Sequence, residues 1–360
     1  MGRSRSDLLR LLSMGMVLAI HATGFYEHSF VRQHDYLSQD FLAVLLNQLA
    51  RFSVPVFVTL SGFGLTRKYM ESARNGGAIR IPLASFYKHR LYKIGLPFLF
   101  YTILYLCLQG QIQKAFAEEN VWELIPYFYR KGADYHFYFF HIIFECYAVY
   151  PFLLLGLFRL SHRWRWVALF LSFLAQLYVS SPAHIWLSDW PRPPFLFSAF
   201  ILYWQFPLIL GIVTALNPLP AKKAVGRAML AATIFAFGLV LFDYLFWSYR
   251  SGEPGDFNHF TRMSVMIFAA LFFWTFAAWP DSEKDRPWIG YAAGLSFHVY
   301  IVHTWFLRGL EILLPRNVLL VLGSLILVSF LWAMLLDRML TWPWLRNLLG
   351  LEAKRSALPG

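Results

Sequence analysis

The run VLLVLGSLILVSFLWAMLL, residues 318–336, contains only apolar and small residues and carries no charge. As an α-helix it rises about 28 Å, close to the roughly 30 Å thickness of the hydrocarbon core of a bilayer. Backbone in lipid must satisfy its own hydrogen bonds, which leaves helices or closed barrels, and the ten-residue alternation of a barrel is absent. The run therefore predicts a transmembrane helix.

Comparable runs recur along the whole chain. Its 360 residues are 58% hydrophobic and 14% charged, with a mean hydropathy of +0.49, too little polar material to cover a soluble surface. The composition predicts an all-α polytopic membrane bundle with about ten transmembrane helices, as one domain over 1–360 with no separate soluble domain. The predicted spans are 8–26, 41–66, 94–112, 136–158, 166–180, 195–216, 228–247, 263–279, 289–307 and 317–337.

Basic residues are distributed unequally between the two sides of these spans. The termini, alternate connections and Arg10 hold 22 of the 32 Lys and Arg, so this side is predicted to be cytoplasmic. The chain is then a multi-pass protein of the cell membrane with both termini in the cytoplasm. The role of basic residues in orienting the spans explains the net charge of +12, so no nucleic-acid partner is expected. The most basic connection, 67–93, suits either anionic lipid or a cytoplasmic polyanion such as a nucleotide or coenzyme.

Five ionisable residues fall within or near the ends of predicted spans: His21, Arg51, Glu145, Asp243 and His303. A charge at mid-span costs at least about 2.5 kcal/mol on insertion scales, so each is a functional candidate. Because an unpaired buried charge is costly, we expect these charges to be paired. Glu145 is a candidate partner for Arg51, with Asp243 competing, and the sequence leaves this pairing open.

Arg10 and His21 lie on one face of the predicted first helix. Eleven residues correspond to three turns, with an offset of about 20° and a rise of roughly 16 Å. A cation at one end and an imidazole deep inside suit an extended phosphate-bearing molecule, such as an acyl-coenzyme A. The alternatives are a structural histidine and an arginine that extends to the interface.

The run Tyr135-His136-Phe137-Tyr138 is predicted at the outer end of the fourth span. Its rings and imidazole suit a sugar, and an interfacial aromatic belt explains them equally well.

The two cysteines support neither a disulfide framework nor a metal site. Cys107 and Cys146 both fall inside apolar runs, where cysteine acts as a small packing residue. No metal is expected.

Five segments, in order, resemble the acyltransferase-3 family of integral membrane O-acyltransferases. They are LRLLSMGMVLAIHA (9–22), SVPVFVTLSGFGL (53–65), FYKHRLYKIGLPFLF (86–100), YHFYFFHIIFECYAVYPFLL (135–154) and SFHVYIVHTWF (296–306). The resemblance implies transfer of an acyl group, usually acetyl, from cytoplasmic acyl-coenzyme A to a hydroxyl of an envelope glycan of a bacterium.

The resemblance also implies roles for individual residues. His21 would be the catalytic base or a transient acyl carrier, and Arg10, Arg90 and Lys93 would bind the coenzyme phosphates. Many family members have an arginine where this chain has Lys93. Acceptor-binding or supporting roles are expected for Arg51, His136, Glu145 and His303.

The expected partners are the lipid bilayer, acyl-coenzyme A, an envelope glycan acceptor and a separate glycan-synthesis protein. The main alternative is a proton-coupled transporter or glycan exporter, because embedded ionisable residues serve transport too. Such transporters usually show two halves with corresponding interrupted spans, and no such internal symmetry is found. A third hypothesis, a sensing or assembly subunit without catalysis, predicts that substitution of His21 is tolerated.

Overall fold

The computed structural model describes residues 1–24, 39–74, 79–128, 132–184, 200–252, 258–280, 286–315 and 317–351. Regular structure in these ranges is entirely helical, which confirms the predicted all-α class. The helices are α1 Arg3–Thr23, α2 Gln39–Ala50, α3 Ser53–Arg74, α4 Leu83–Arg90, α5 Leu96–Leu108, α6 Gln111–Ala117, α7 Tyr138–Arg159, α8 His162–His184, α9 Gln205–Leu216, α10 Lys223–Ser251, α11 Met263–Ala278, α12 Pro287–Leu313, α13 Val318–Met339 and α14 Pro343–Leu348.

Five helical stretches in the described ranges are long and apolar enough to cross a membrane, and two shorter apolar helices accompany them. The five are Gln39–Glu71, Leu83–Leu108, Tyr135–Arg159, Lys223–Ser251 and Val318–Met339. The polytopic helical architecture is thus confirmed, while the predicted number of ten spans is not. Helices α1, α8 and α12 are also long, but basic and polar residues lower their hydropathy. The first residues of predicted span 195–216 lie outside the described ranges.

Helix α1 lies inside the bundle. It packs against α2, α3, α12 and α13, and its buried side chains include Leu9, Val17 and Leu18. Because four helices pack against α1, its buried polar side chains, Ser13 and Thr23, face protein.

Helices α3 and α9 cross at very short distance. A Cβ on Gly211 would penetrate the carbonyl oxygen of Thr59 and lie 2.8 Å from the backbone nitrogen of Phe63. A Cβ on Gly62 would lie 2.5 Å from the carbonyl oxygen of Leu208. Glycine on both helices permits this approach, as in small-residue contacts between membrane helices.

A π-helical turn, Leu91–Gly95, joins α4 to α5. Such turns form hydrogen bonds to the fifth residue and appear mostly as single insertions within α-helices, often at functional sites. The turn separates the basic helix α4 from the apolar helix α5.

Candidate functional site

A cavity of about 230 Å³ lies between α1, α3, α7 and α12. Helix α1 contributes a stripe to its wall that includes Arg10, Met14, Val17 and His21, at the spacing of one helical face. The other walls are mainly apolar and aromatic. The structure therefore joins Arg10 and His21 by a continuous space along α1, as their spacing predicts.

Three histidines meet at one end of this cavity, from three different parts of the chain. The ring centroid of His21 lies 4.9 Å from that of His303 and 6.5 Å from that of His136, and the latter two are 5.1 Å apart. His136 and His303 are fully buried, and His21 is half-buried. The ring of Tyr135 packs edge-on against His21 at 5.1 Å.

Backbone carbonyl groups fix the orientation of the two buried histidines. His303 Nδ1 lies 2.7 Å from the carbonyl oxygen of Tyr300, and His136 Nε2 lies 3.1 Å from that of Ile301. A carbonyl oxygen only accepts, so each of these nitrogens donates. The other nitrogens, His303 Nε2 and His136 Nδ1, are buried without a hydrogen-bond partner. The Tyr300 hydroxyl in turn donates to the carbonyl oxygen of His136.

Behind His136 lies a buried carboxylate that the sequence analysis did not select. Both oxygens of Asp134 accept from Arg308 at 2.9 Å, and they also accept from the Thr304 hydroxyl and the Tyr135 backbone N–H. One of them lies 3.9 Å from His136 Nδ1. Burial raises the pKa of the Asp134 carboxyl, and the Arg308 guanidinium opposes this shift. This pair holds the 3₁₀ turn Tyr135–Phe137 against α12.

The basic residues predicted for the coenzyme lie beside the opposite end of the cavity. Arg10 is partly exposed and lies 3.7 Å from Asp7. The guanidinium of Arg90 lies 5.2 Å from the ring centroid of Tyr147, which lines the cavity, and its Nε is buried without a partner. Lys93 is exposed on the π-helical turn, next to the lining residue Ile94.

Arg51 is buried near the histidine cluster and its Nε donates to Asn47 Oδ1 at 2.8 Å. Asn47 also donates to Thr23, and the Arg51 guanidinium lies 4.8 Å from the ring centroid of Phe260, a lining residue.

The other two embedded acids have partners of their own. Glu145 accepts the Ile201 backbone N–H at 2.6 Å and lies outside the cavity lining, so its contact is with the 3₁₀ turn before α9. Asp243 pairs with Arg262 at 3.3 Å and accepts from the Ser264 hydroxyl. The candidate pairing of Arg51 with Glu145 is therefore replaced by contacts with Asn47 and Ile201.

Among the described residues, no group of three or more His, Cys, Asp or Glu is arranged to hold a metal ion. Cys107 and Cys146 are free thiols.

The fold and this site together define a helical membrane protein with clustered histidines at one end of an apolar cavity and cations at the other. A family model described as an acyltransferase domain matches residues 3–338, so this chain belongs to that acyltransferase family. The resemblance seen in the five sequence segments is thereby confirmed. Searches of curated proteins and of solved structures gave no match.

Proposed function

We propose that this chain is a membrane O-acyltransferase, an O-acetyltransferase in its simplest form, acting on a hydroxyl of an envelope polysaccharide or related glycan. The donor is a cytoplasmic acyl-coenzyme A, and a separate glycan-synthesis protein supplies the acceptor. The observation that carries the proposal is the cavity that connects Arg10 to His21. Membership of an acyltransferase family favours this reading over a transporter or exporter.

The shape of the cavity suits the thin part of the donor. Its volume of about 230 Å³ is below the usual range for sites that enclose a whole drug-sized ligand. An extended acyl-pantetheine chain fits such a space, while the nucleotide stays outside with its phosphates near Arg10, Arg90 and Lys93. Arginine forks and the lysine point charge are the usual ligands for phosphate.

His21 lies where the thioester would arrive, roughly 16 Å along α1 from Arg10. The acceptor hydroxyl oxygen attacks the thioester carbon while the imidazole of His21 takes its proton. The carbon–sulfur bond then breaks, and the imidazolium returns the proton to the departing thiolate, giving an ester and free coenzyme A thiol. A positioned base of this kind contributes about 10²–10⁴-fold to the rate. In a second version His21 is itself acylated and then attacked by the hydroxyl.

The acceptor reaches His21 from the opposite side. Tyr135 is 53% exposed, and its ring packs against His21, so this tyrosine connects the histidine cluster to the surface. An exposed aromatic ring beside polar groups suits the apolar face of a sugar. The half-exposed Arg308 lies near Tyr135, because both bind Asp134: Arg308 through its guanidinium and Tyr135 through its backbone N–H.

His21→Ala and His21→Gln test the proposal. The assay is release of coenzyme A from acetyl-coenzyme A by purified protein, with envelope glycan extracted from cells that lack the chain as acceptor, together with mass spectrometry of the glycan. Both variants should lose transfer and keep acetyl-coenzyme A binding, because the phosphates bind far from His21. Glutamine retains hydrogen bonding but does not accept a proton at neutral pH.

His141→Gln serves as the matched control. This histidine is also partly buried with an unpartnered Nε2, but it lies outside the cavity lining, against Phe98. The control should transfer acyl groups normally. Near-normal transfer by the folded His21→Gln protein would refute the assignment of His21 as base or acyl carrier, and unchanged glycan acylation in cells lacking the chain would favour transport.

A further inference from the structure

His303 belongs to the histidine cluster and has an unsatisfied proton acceptor. Its Nδ1 donates to the Tyr300 carbonyl oxygen on its own helix, which leaves Nε2 unprotonated in the neutral ring. Nε2 is on the far side of the ring from that carbonyl group. It is buried without a partner in a side chain that is fully enclosed. An unsatisfied buried acceptor costs free energy, so a donor for it is to be expected.

His21 is the neighbour that can supply this donor. Two imidazoles share a hydrogen bond only when their centroids are within about 5.5 Å, since the bond spans up to about 3.2 Å and each nitrogen lies a little over 1 Å from its centroid. The rings of His21 and His303 are 4.9 Å apart, and no group in the described ranges hydrogen-bonds either ring nitrogen of His21.

His136 does not compete for this bond. Its ring is 6.5 Å from that of His21, beyond hydrogen-bonding reach. It is within reach of His303, at 5.1 Å, but Nε2 of His136 donates to Ile301, so its Nδ1 is an acceptor like His303 Nε2. Two acceptors do not bond to each other without an added proton.

We propose that His303 is a positioning residue whose Nε2 accepts the N–H of His21 when the substrates are bound. The bond selects one neutral tautomer of His21 and turns its unprotonated nitrogen toward the acceptor hydroxyl. It also stabilises the imidazolium formed when that nitrogen takes a proton. The inference rests on the proposed role of His21 as base, and it assigns to a buried neutral histidine the orienting task that an acidic residue performs in other catalytic groups.

Two substitutions at His303 separate this role from a structural one. Asparagine places an amide nitrogen where histidine has Nδ1, which keeps the bond to Tyr300 and removes the acceptor. Glutamine extends to the position of Nε2, where its oxygen accepts from His21, and gives up the bond to Tyr300. A positioning role requires the acceptor. A structural role requires the bond to Tyr300.

The expected result is that His303→Asn lowers kcat by at least about 10²-fold, the lower end of the contribution of a positioned base. The KM for acetyl-coenzyme A should stay within about twofold, because the phosphates bind at the other end of the cavity. His303→Gln should keep kcat within about fivefold of the unmodified protein. Rates are measured per folded protein with the extracted glycan saturating, and folding is followed by thermal unfolding in detergent.

His298 provides the matched control pair. It lies on the same helix, is also fully buried, bonds through Nδ1 to the Leu349 carbonyl oxygen and has an unpartnered Nε2. Its ring packs against Tyr101, whereas the ring of His303 packs against His21 and His136. The kcat values of His298→Asn and His298→Gln should be about equal.

Several outcomes would overturn the inference: full activity of His303→Asn, equal loss in both His303 variants, or the same Asn–Gln difference at His298. These are distinguishable from failure of the proposed function. If His21→Gln is inactive while both His303 variants are active, the assignment of His21 as base is retained and only the positioning role of His303 is refuted. If His21→Gln is active, the proposed function of His21 as base or acyl carrier is refuted.

Discussion

Substituting Gly211 by alanine tests the close crossing of α3 and α9. The new methyl group would meet the Thr59 carbonyl oxygen and the Phe63 backbone nitrogen, and neither backbone atom can move aside as a flexible side chain would. The helices must separate, and contacts along the crossing are lost. Overpacking usually costs about 1–3 kcal/mol, and two backbone clashes place this variant at or above the upper end of that range.

Gly64→Ala on α3 is the matched control. No atom lies within 4 Å of the position where its Cβ would be, and glycine within a helix is about 0.5–1 kcal/mol less favourable than alanine. Gly64→Ala should therefore be neutral or stabilising in thermal unfolding of the detergent-purified protein, while Gly211→Ala should lower the midpoint by several degrees. Equal midpoints for the two variants would show that α3 and α9 do not cross this closely.

Topology, donor binding and the ion pair of Asp134 with Arg308 each allow a direct test. In a chain without its native cysteines, a cysteine at Asn75, which lies outside the described residues, should resist an impermeant thiol reagent in intact cells, while one at Ser251 should react; the reverse pattern would invert the proposed orientation. Arg90→Ala should weaken coenzyme A binding and reduce its salt dependence, measured by titration calorimetry, and an unchanged salt response would exclude a phosphate contact. Arg308→Ala should lower the unfolding temperature more than Asp134→Asn, because it leaves a carboxylate buried without its cation; the opposite order would contradict this reasoning.

Helical periodicity was sufficient to place Arg10 and His21 on one wall of the cavity. Both belong to α1, so their relation is local, and 3.6 residues per turn determines it. The meeting of His21 with His136 and His303 is not local. It depends on how α1, α12 and the 3₁₀ turn before α7 pack, which the sequence pattern alone does not specify.

Embedded charges were identified correctly as needing partners. Asp243 pairs with an opposite charge, Arg262, whereas the partners described for Arg51 and Glu145 include neutral groups. Arg51 donates to an amide oxygen of Asn47, and Glu145 accepts a backbone N–H from Ile201. A search for opposite charges does not find such groups, because any buried hydrogen-bonding group satisfies the same physical requirement.

Asp134 and Arg308 were missed for a related reason. Both lie at the ends of predicted spans, where a charge costs little in an isolated helix, so a rule that selects mid-span charges does not select them. Folding buries Asp134 against α12, and only the three-dimensional structure shows this. Hydrophobicity is also an incomplete guide to the number of spans. Helix α1, which lies at the centre of the site, is one of the less hydrophobic helices and is not among the five stretches that are apolar enough to cross a membrane.

The π-helical turn Leu91–Gly95 sets the direction in which helix α4 presents Arg90, a residue proposed to bind the donor. A π turn holds one residue more than an α turn, so it accommodates the extra residue with little rotation of the helix that precedes it. If the same residues formed a continuous α-helix instead, α4 would rotate by about 100° relative to α5. That rotation would carry the Arg90 guanidinium away from the ring of Tyr147 without changing either residue. The backbone geometry of this turn, and not only the side chains around it, therefore determines where the Arg90 guanidinium lies.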